Sequence, residues 1–404
     1  MTTTTYRQIH SQEKAIPGTW RYKRIKWGIF SVGVSVFAQL YNYQPLLSEI
    51  TDYFHVTPTQ SSYLVSASTL GMAIGLLLFA FIADRFTRKE IMVFSLVTST
   101  ILTIGSIWVE HFPVLININL IKGMCISGVS AVTLAYLAEE IDSKNIGLAI
   151  SFYLAGNTFG GMFGRLVAAF ISGWLGWQMA VLSIGIISAI IAVVFYIYFP
   201  NSKFFEPQKL NFTDKLDQMK SIFQNKKILA MYVVAICLMG SFVSVYNFLG
   251  FKLAAAPFNL PHYLIALIFL MYAFGIFSNM VAGSLSDRFS AKRILFIALT
   301  LLLIGIIAMS TTSLVIVITG LVIFTMAFFS GHTIASKVVT TMAGKAKSSA
   351  TALYWLFYYL GSSILGSSTG VFVNKANWSG YFITLTLLSI LAIAATYIST
   401  RKTN

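Results

Sequence analysis

The stretches AFIADRFTRK at 80–89 and GSLSDRFSAKR at 283–293 carry one polar punctuation twice in a chain of 404 residues. Each closes a long apolar run and opens another. Asp84–Arg85–Phe86 and Asp287–Arg288–Phe289 stand 203 positions apart, about half the chain. A copied unit of that size, built of membrane-length apolar runs, folds by setting two like bundles side by side around a common centre.

Twelve apolar runs are long enough to span a bilayer, at about 27–48, 60–83, 91–109, 113–138, 147–170, 178–199, 228–250, 263–284, 293–311, 314–337, 350–373 and 379–399. With 57% hydrophobic and 10% charged residues, the composition is that of a polytopic membrane protein. The expected fold is all-α: twelve transmembrane helices in two pseudo-symmetric six-helix halves. The expected parts are a cytoplasmic tail 1–26, a bundle 27–199, a linker 200–227, a second bundle 228–399 and a tail 400–404. Residues 1–26 are polar and basic and show no secretory signal. Cys125 and Cys237 fall inside spans and read as small apolar residues.

The net charge of +15 does not point to nucleic acid, because 23 of the 28 Lys and Arg fall in the tails and in alternate loops. That asymmetry is the positive-inside rule, and it sets both termini in the cytoplasm, with the basic residues touching anionic lipid. In the linker, Phe212, Leu216, Met219 and Phe223 recur at helical spacing among Lys215, Lys220 and Lys226. They suggest an amphipathic helix on the cytoplasmic surface, or a plain connecting helix.

Further landmarks keep the repeat spacing. Tyr41–Asn42–Tyr43 is answered by Tyr246–Asn247–Phe248, and Tyr153 and Gly156 by Tyr358 and Gly361, all at an offset of 205. In the fifth run, Gly156, Gly160 and Gly164 form a smooth stripe beside Gly161, which lets two helices approach closely.

With these motifs in view, the chain resembles the major facilitator superfamily over nearly its whole length. That family's loop motif reads G-x-L-a-D-R-x-G-R-R between spans two and three, with a weaker copy between eight and nine. Ala80 and Thr87 stand here in its two glycine positions, and the second copy keeps Gly283, Asp287 and Arg288. AYLAEEI at 135–141, SFYLAGNTFGGMFGR at 151–165 and LFYYLGSS at 356–363 are similar to a bacterial group of efflux, drug–proton antiporter-like members. Facilitator antiporters carry G-x-x-x-G-P-x-x-G-G in span five, where this chain has Gly161 in the proline place and Arg165 in that of the last glycine. Their span-four R-x-x-Q-G reads Asn119-Leu-Ile-Lys122-Gly123. The resemblance implies proton-coupled efflux of a small organic molecule by alternating access; uptake by proton symport uses the same scaffold.

The loop charges suggest a gate. Asp84 and Asp287 lie at helix ends, where a carboxylate can accept from a neighbouring helix N-terminus. Arg85 and Arg88 can reach Glu139 and Glu140 at the end of span four, and Arg288 belongs to the second copy. Such a cluster would latch the cytoplasmic side; the alternative is solvated loop charges.

All thirteen Asp and Glu lie in loops or at span ends, whereas Lys122, Arg165 and His332 fall inside spans. An ionisable group there costs on the order of 3 kcal/mol by insertion scales and faces a cavity or a partner. Lys122 can bind a polar or anionic substrate, couple protons, or join a structural network with Asn119 and Asn157. Arg165 and His332 are further coupling candidates, and a transmembrane histidine also serves as a hydrogen-bonded packing residue. Gln39, Asn42 and Tyr43 on span one, Asn157 on five, Tyr246 and Asn247 on seven, and Tyr354, Trp355, Tyr358 and Tyr359 on eleven offer a pathway for partly apolar cargo.

No Walker loop, metal-spaced His/Cys cluster or nucleophile elbow appears in the sequence, so neither an enzyme, a cofactor nor a metal is expected. The expected partners are a small-molecule substrate, the proton gradient and the bilayer, with the chain acting as a monomer. A non-transporting receptor or scaffold is the alternative of another class.

Overall fold

The computed structural model describes residues 14–83, 85–206 and 219–400. Its membrane-length helices, numbered in chain order, are α1 Trp20–Leu40, α2 Pro58–Ile82, α3 Arg88–Gly105, α4 Phe112–Glu140, α5 and α6 within Ile146–Tyr198, α7 Lys226–Ala254, α8 His262–Ser286, α9 Ala291–Met309, α10 Leu314–Met342, α11 Lys347–Ser368 and α12 Trp378–Thr400. Of the expected linker helix, 219–224 is helical, while Phe212, Lys215 and Leu216 lie outside the described residues.

α5 and α6 form one helical run of 53 residues, broken at Gly176, where φ is 83° and ψ 167°. Only glycine adopts that backbone cheaply. The break leaves the amide of Trp177 without a partner in the preceding turn. Glu49, on the short helix Leu47–Phe54, accepts that N–H at 2.7 Å, as a carboxylate does at a helix N-terminus.

α1 departs from the span expected at 27–48. It begins at Trp20, where the Thr19 hydroxyl caps the amide of Tyr22, and ends at Leu40. Pro45 then opens a 3₁₀ turn over Gln44–Leu46. Proline lacks the N–H that a continuing helix needs and disfavours helical backbone just before it. Asn42 and Tyr43, expected on span one with Gln39, therefore lie past the helix end. A second departure from α geometry is the 3₁₀ stretch Ala266–Met271 within α8.

Packing partners repeat at a distance of six helices. α1 packs on α5 as α7 on α11, α2 on α4 as α8 on α10, α3 on α4 as α9 on α10, and α3 on α6 as α9 on α12. The most extensive contacts between the halves are α2 with α11 and α5 with α8. This is the expected all-α arrangement of two like six-helix bundles.

In lipid the apolar effect no longer drives helices together, so close backbone approach and hydrogen bonds hold them. The stripe on α5 meets a matching row on α1: Gly156 lies against Phe30, Gly160 against Val34 and Gly164 against Ala38. A Cβ on any of the three would overlap α1 backbone atoms. Gly361 on α11 rests on Ile236 of α7 in the corresponding way.

Across the halves, Ser66 Oγ donates to Ser363 O at 2.6 Å and Ser62 Oγ to Ser367 Oγ at 2.7 Å. Thr59 Oγ1 donates to Asn374 Oδ1 at 3.0 Å. These bonds lie toward the face opposite to the one that carries the start of α1 and the end of α12.

Replacing Gly160 by leucine forces α1 and α5 apart and lowers stability by about 1–3 kcal/mol, read as a drop in detergent melting temperature. Gly173→Leu, where nothing lies within 4 Å, leaves the melt unchanged. Burial holds the Glu49 carboxyl above its ordinary range, while the Trp177 amide bond pulls the other way. The unfolded chain then ionises at lower pH than the folded one, so rising pH through that interval costs stability. Glu49→Gln, which keeps the acceptor, melts with wild type below about pH 4 and above it at neutral pH.

Candidate functional site

The centre of the bundle is built from the break after α1, the middle of α4 and α5, and the facing parts of α7, α8, α10 and α11. Lys122 on α4 is 1% exposed. Its Nζ donates to Asn42 Oδ1 at 3.1 Å and sits 5.2 Å from the centre of the Tyr43 ring. Asn119, one turn earlier, takes the Ser68 hydroxyl at 3.1 Å and donates to Leu115 O. The lysine bonds the Asn42 amide, rather than Asn119 or Asn157, the partners expected from sequence. An ammonium has three N–H bonds, so an amide oxygen and a ring face leave it underused.

Arg165 on α5 is 2% exposed. Its Nε donates to Gln44 Oε1 at 2.6 Å and its Nη1 to Gly161 O at 2.5 Å. Gln44 Nε2 in turn donates to Asn247 Oδ1 at 2.7 Å, and Asn247 Nδ2 to Gly366 O at 3.0 Å. One chain of bonds thus runs from α5 through the break after α1 to α7 and α11, joining the halves. The guanidinium carbon lies 4.2 Å from the Tyr41 ring centre, 4.9 Å from that of Tyr272 and 5.8 Å from that of Phe269.

In the second half, His332 Nδ1 and the Tyr354 hydroxyl are 3.0 Å apart. The Tyr358 ring lies 4.6 Å from the imidazole and the Trp355 ring 5.2 Å. Tyr246 bonds Thr325 through its hydroxyl at 2.8 Å and stacks on Phe269.

Several buried polar atoms in this region have no hydrogen-bond partner: the hydroxyls of Tyr41, Tyr272 and Ser362, and Asn42 Nδ2. A buried polar group without a partner costs about 1–3 kcal/mol. Several in one place mark a site whose partner comes from outside the fold. Above them a cleft of about 630 Å³ opens between the halves, walled by Gln44, Glu49, Tyr246, Asn247, His262 and Phe269 among others.

Not every residue singled out from sequence joins this centre. Gln39 turns to α3, where it takes the Thr103 hydroxyl at 2.8 Å. The Tyr43 hydroxyl bonds Ser106 at 2.8 Å, so its ring supports Lys122 from the packed side. Gly161 makes no close helix contact and serves Arg165 through its carbonyl. Conversely, Gln44, Tyr41, Tyr272 and Ser362 belong to the centre although sequence alone did not single them out for it. Gln44 had a signal, standing between the repeated Tyr–Asn pair and Pro45.

The loop charges divide differently from the expected latch. Arg88 holds Glu139 at 2.8 Å, and Glu140 pairs with Arg21 and accepts the amides of Lys203 and Phe204. These bonds tie α3 to α4 and α1 to α4 within one half, together with the start of the linker. Arg85 and Arg288 are exposed and pair with neither glutamate. Asp84 and the side chain of Asp287 lie outside the described residues. Lys252 caps the end of α9 by donating to Met309 O and Thr311 O.

A family model of the Major Facilitator Superfamily matches residues 29–366 and, overlapping, 253–404. The chain is 33% identical over 376 residues to YybF, an uncharacterized MFS-type transporter of Bacillus subtilis strain 168, covering 93% of each. It is 31% identical over 376 residues to the inner membrane transport protein YnfM of Escherichia coli K12, covering 93% of this chain and 90% of that one. A D-xylose–proton symporter structure superposes with a TM-score of 0.74 at 16% identity, over 95% of this chain and all of that one. The chain therefore belongs to the Major Facilitator Superfamily and is a multi-pass membrane transporter of the MFS type.

Proposed function

We propose that the protein is a secondary active transporter that exports a small organic molecule in exchange for protons, by alternating access, from the cytoplasm of a bacterial cell. The observation that carries this reading is the bond between Gln44 and Asn247, one residue from each half, set over buried polar groups that lack partners. Rocking the halves would break that bond, together with the Ser62–Ser367, Ser66–Ser363 and Thr59–Asn374 bonds, and open the centre to the cleft, while the glycine-packed pairs within each half move as bodies. The units that rock are 27–199 and 228–399, joined by 200–227, with both termini cytoplasmic as the distribution of Lys and Arg suggests.

In this reading Asn42, Asn157, Asn247, Tyr246 and Tyr358 contact cargo. Lys122 and the His332–Tyr354 pair carry the coupling proton, because each holds a nitrogen that can exchange a proton without a buried carboxylate beside it. With cationic groups at the centre, the cargo is neutral or anionic, and permanent cations are poor substrates.

The test is flux through purified protein in liposomes under an imposed pH gradient, over a panel of neutral, anionic and cationic compounds. Flux of the best neutral or anionic compound follows the gradient, and ethidium stays behind. Lys122→Met lowers that flux by about tenfold or more, in line with about 1.5–3 kcal/mol for a hydrogen bond to a charged group, with membrane insertion unchanged. Equal flux in the variant would make Lys122 purely structural, and robust ethidium extrusion would overturn the cargo assignment. Flux down the proton gradient in the same direction as the protons would replace export by symport.

A further inference from the structure

Arg165 has more donors than the fold uses. A guanidinium carries five N–H bonds, and those described here go to Gln44 Oε1 and Gly161 O. Among the described residues, the ion pairs are Arg21–Glu140 and Arg88–Glu139, so no carboxylate balances its charge. Rings from both halves, Tyr41 and Tyr272, stand over it, and both their hydroxyls are buried and unpaired. Ser362 faces Tyr41 from α11, yet neither hydroxyl makes a bond of good geometry. A cation with no counter-charge beside three unpaired hydroxyls, each able to donate, calls for an anion.

We propose that Arg165, Tyr41, Tyr272 and Ser362 form a subsite for the carboxylate of an aromatic organic acid, the cargo of the transporter described above. This assignment rests on the transport reading and names its substrate class. The planar fork of a guanidinium matches a carboxylate, and such charge-assisted bonds are about twice as strong as neutral ones. The single positive charge suits a monoanion. The ring of the acid is received by Tyr358 and Tyr359, buried side chains that stand one turn before Ser362 on α11, where offset or edge-on aromatic contact is favourable.

The route in is also built. Gln44 and Asn247 bond each other in the wall of the 630 Å³ cleft, and Gln44 also holds Arg165. Phe269 lines the same cleft and stands over the guanidinium. Parting Gln44 from Asn247 therefore uncovers Arg165 to the cleft, where an incoming carboxylate displaces Gln44 Oε1 from its Nε. Arg165 is the specificity determinant, and Gln44 is its resting partner.

Calorimetry on the full-length protein in nanodiscs tests this at equilibrium, without any need for flux. The probes are benzoate and 3-phenylpropionate, each beside its neutral amide. At least one acid binds wild type about tenfold or more tightly than its amide, as expected for a charged over a neutral hydrogen-bonded pair. Arg165→Gln erases that preference and Arg165→Lys retains part of it. Tyr41→Phe and Tyr272→Phe, which keep the rings, weaken the acid a few-fold and leave the amide unmoved. Equal affinity for acid and amide in wild type, or no binding of either acid up to its solubility, overturns the subsite. So does a preference that survives Arg165→Gln. Should Arg165→Gln not fold, wild type and the two phenylalanine variants decide alone. Acid binding with no flux of any compound would strike the transport reading instead, whereas flux of neutral cargo without acid binding would strike only the subsite.

Discussion

Gly156, Gly160 and Gly164 let the backbones of α5 and α1 touch along three turns, and the geometry of the centre depends on that contact. Close approach brings Arg165, one residue past the stripe, beside the break where α1 gives way to Gln44. Larger residues would push the two axes apart, and the 2.6 Å bond between Arg165 and Gln44 would be lost. The second half repeats the device with Gly361 on α11 against α7, which seats Asn247 to meet Gln44. Small residues thus do in the membrane what apolar burial does in water: they fix which polar groups can meet.

Much of this fold was legible from residues alone. The two Asp–Arg–Phe triplets, the Tyr–Asn pairs and the α5 glycines gave the twofold plan, because each marks a place where backbone or charge has few options. The end of α1 was not legible from hydropathy. An apolar run continues to 48, but the helix stops at Leu40 ahead of Pro45, and the break delivers the Gln44 amide to the centre. Partners inside the bundle were harder still. Whether Lys122 meets Asn42 or Asn157 depends on how each helix is rotated about its axis, and packing against all neighbours sets that rotation. The loop charges show the same limit: Glu139 and Glu140 are adjacent in sequence, yet they serve α3 and α1 respectively.

The charge distribution inside the bundle is one-sided. Lys122 and Arg165 are buried with amides, carbonyls and ring faces for company, which lower the cost of a cation without neutralising it. Lys252, by contrast, is spent on the carbonyls that end α9 and is a structural cap. Lys337 bonds Ser286 across a helix pair. The basic residues of the spans thus divide between those that complete a helix end or a helix pair and those that leave charge at the centre.

The six 3₁₀ residues Ala266–Met271 of α8 lie against Arg165 through Phe269, with Tyr272 directly after them. A 3₁₀ segment turns every 3.0 residues and rises about 2.0 Å per residue, against 3.6 residues and about 1.5 Å in an α-helix. Rewinding these six residues would shorten α8 by about 3 Å and swing the remainder of the helix by about 120°. Such a rewinding would carry the aromatic wall on one side of the guanidinium along a screw path, with the neighbouring helices left intact.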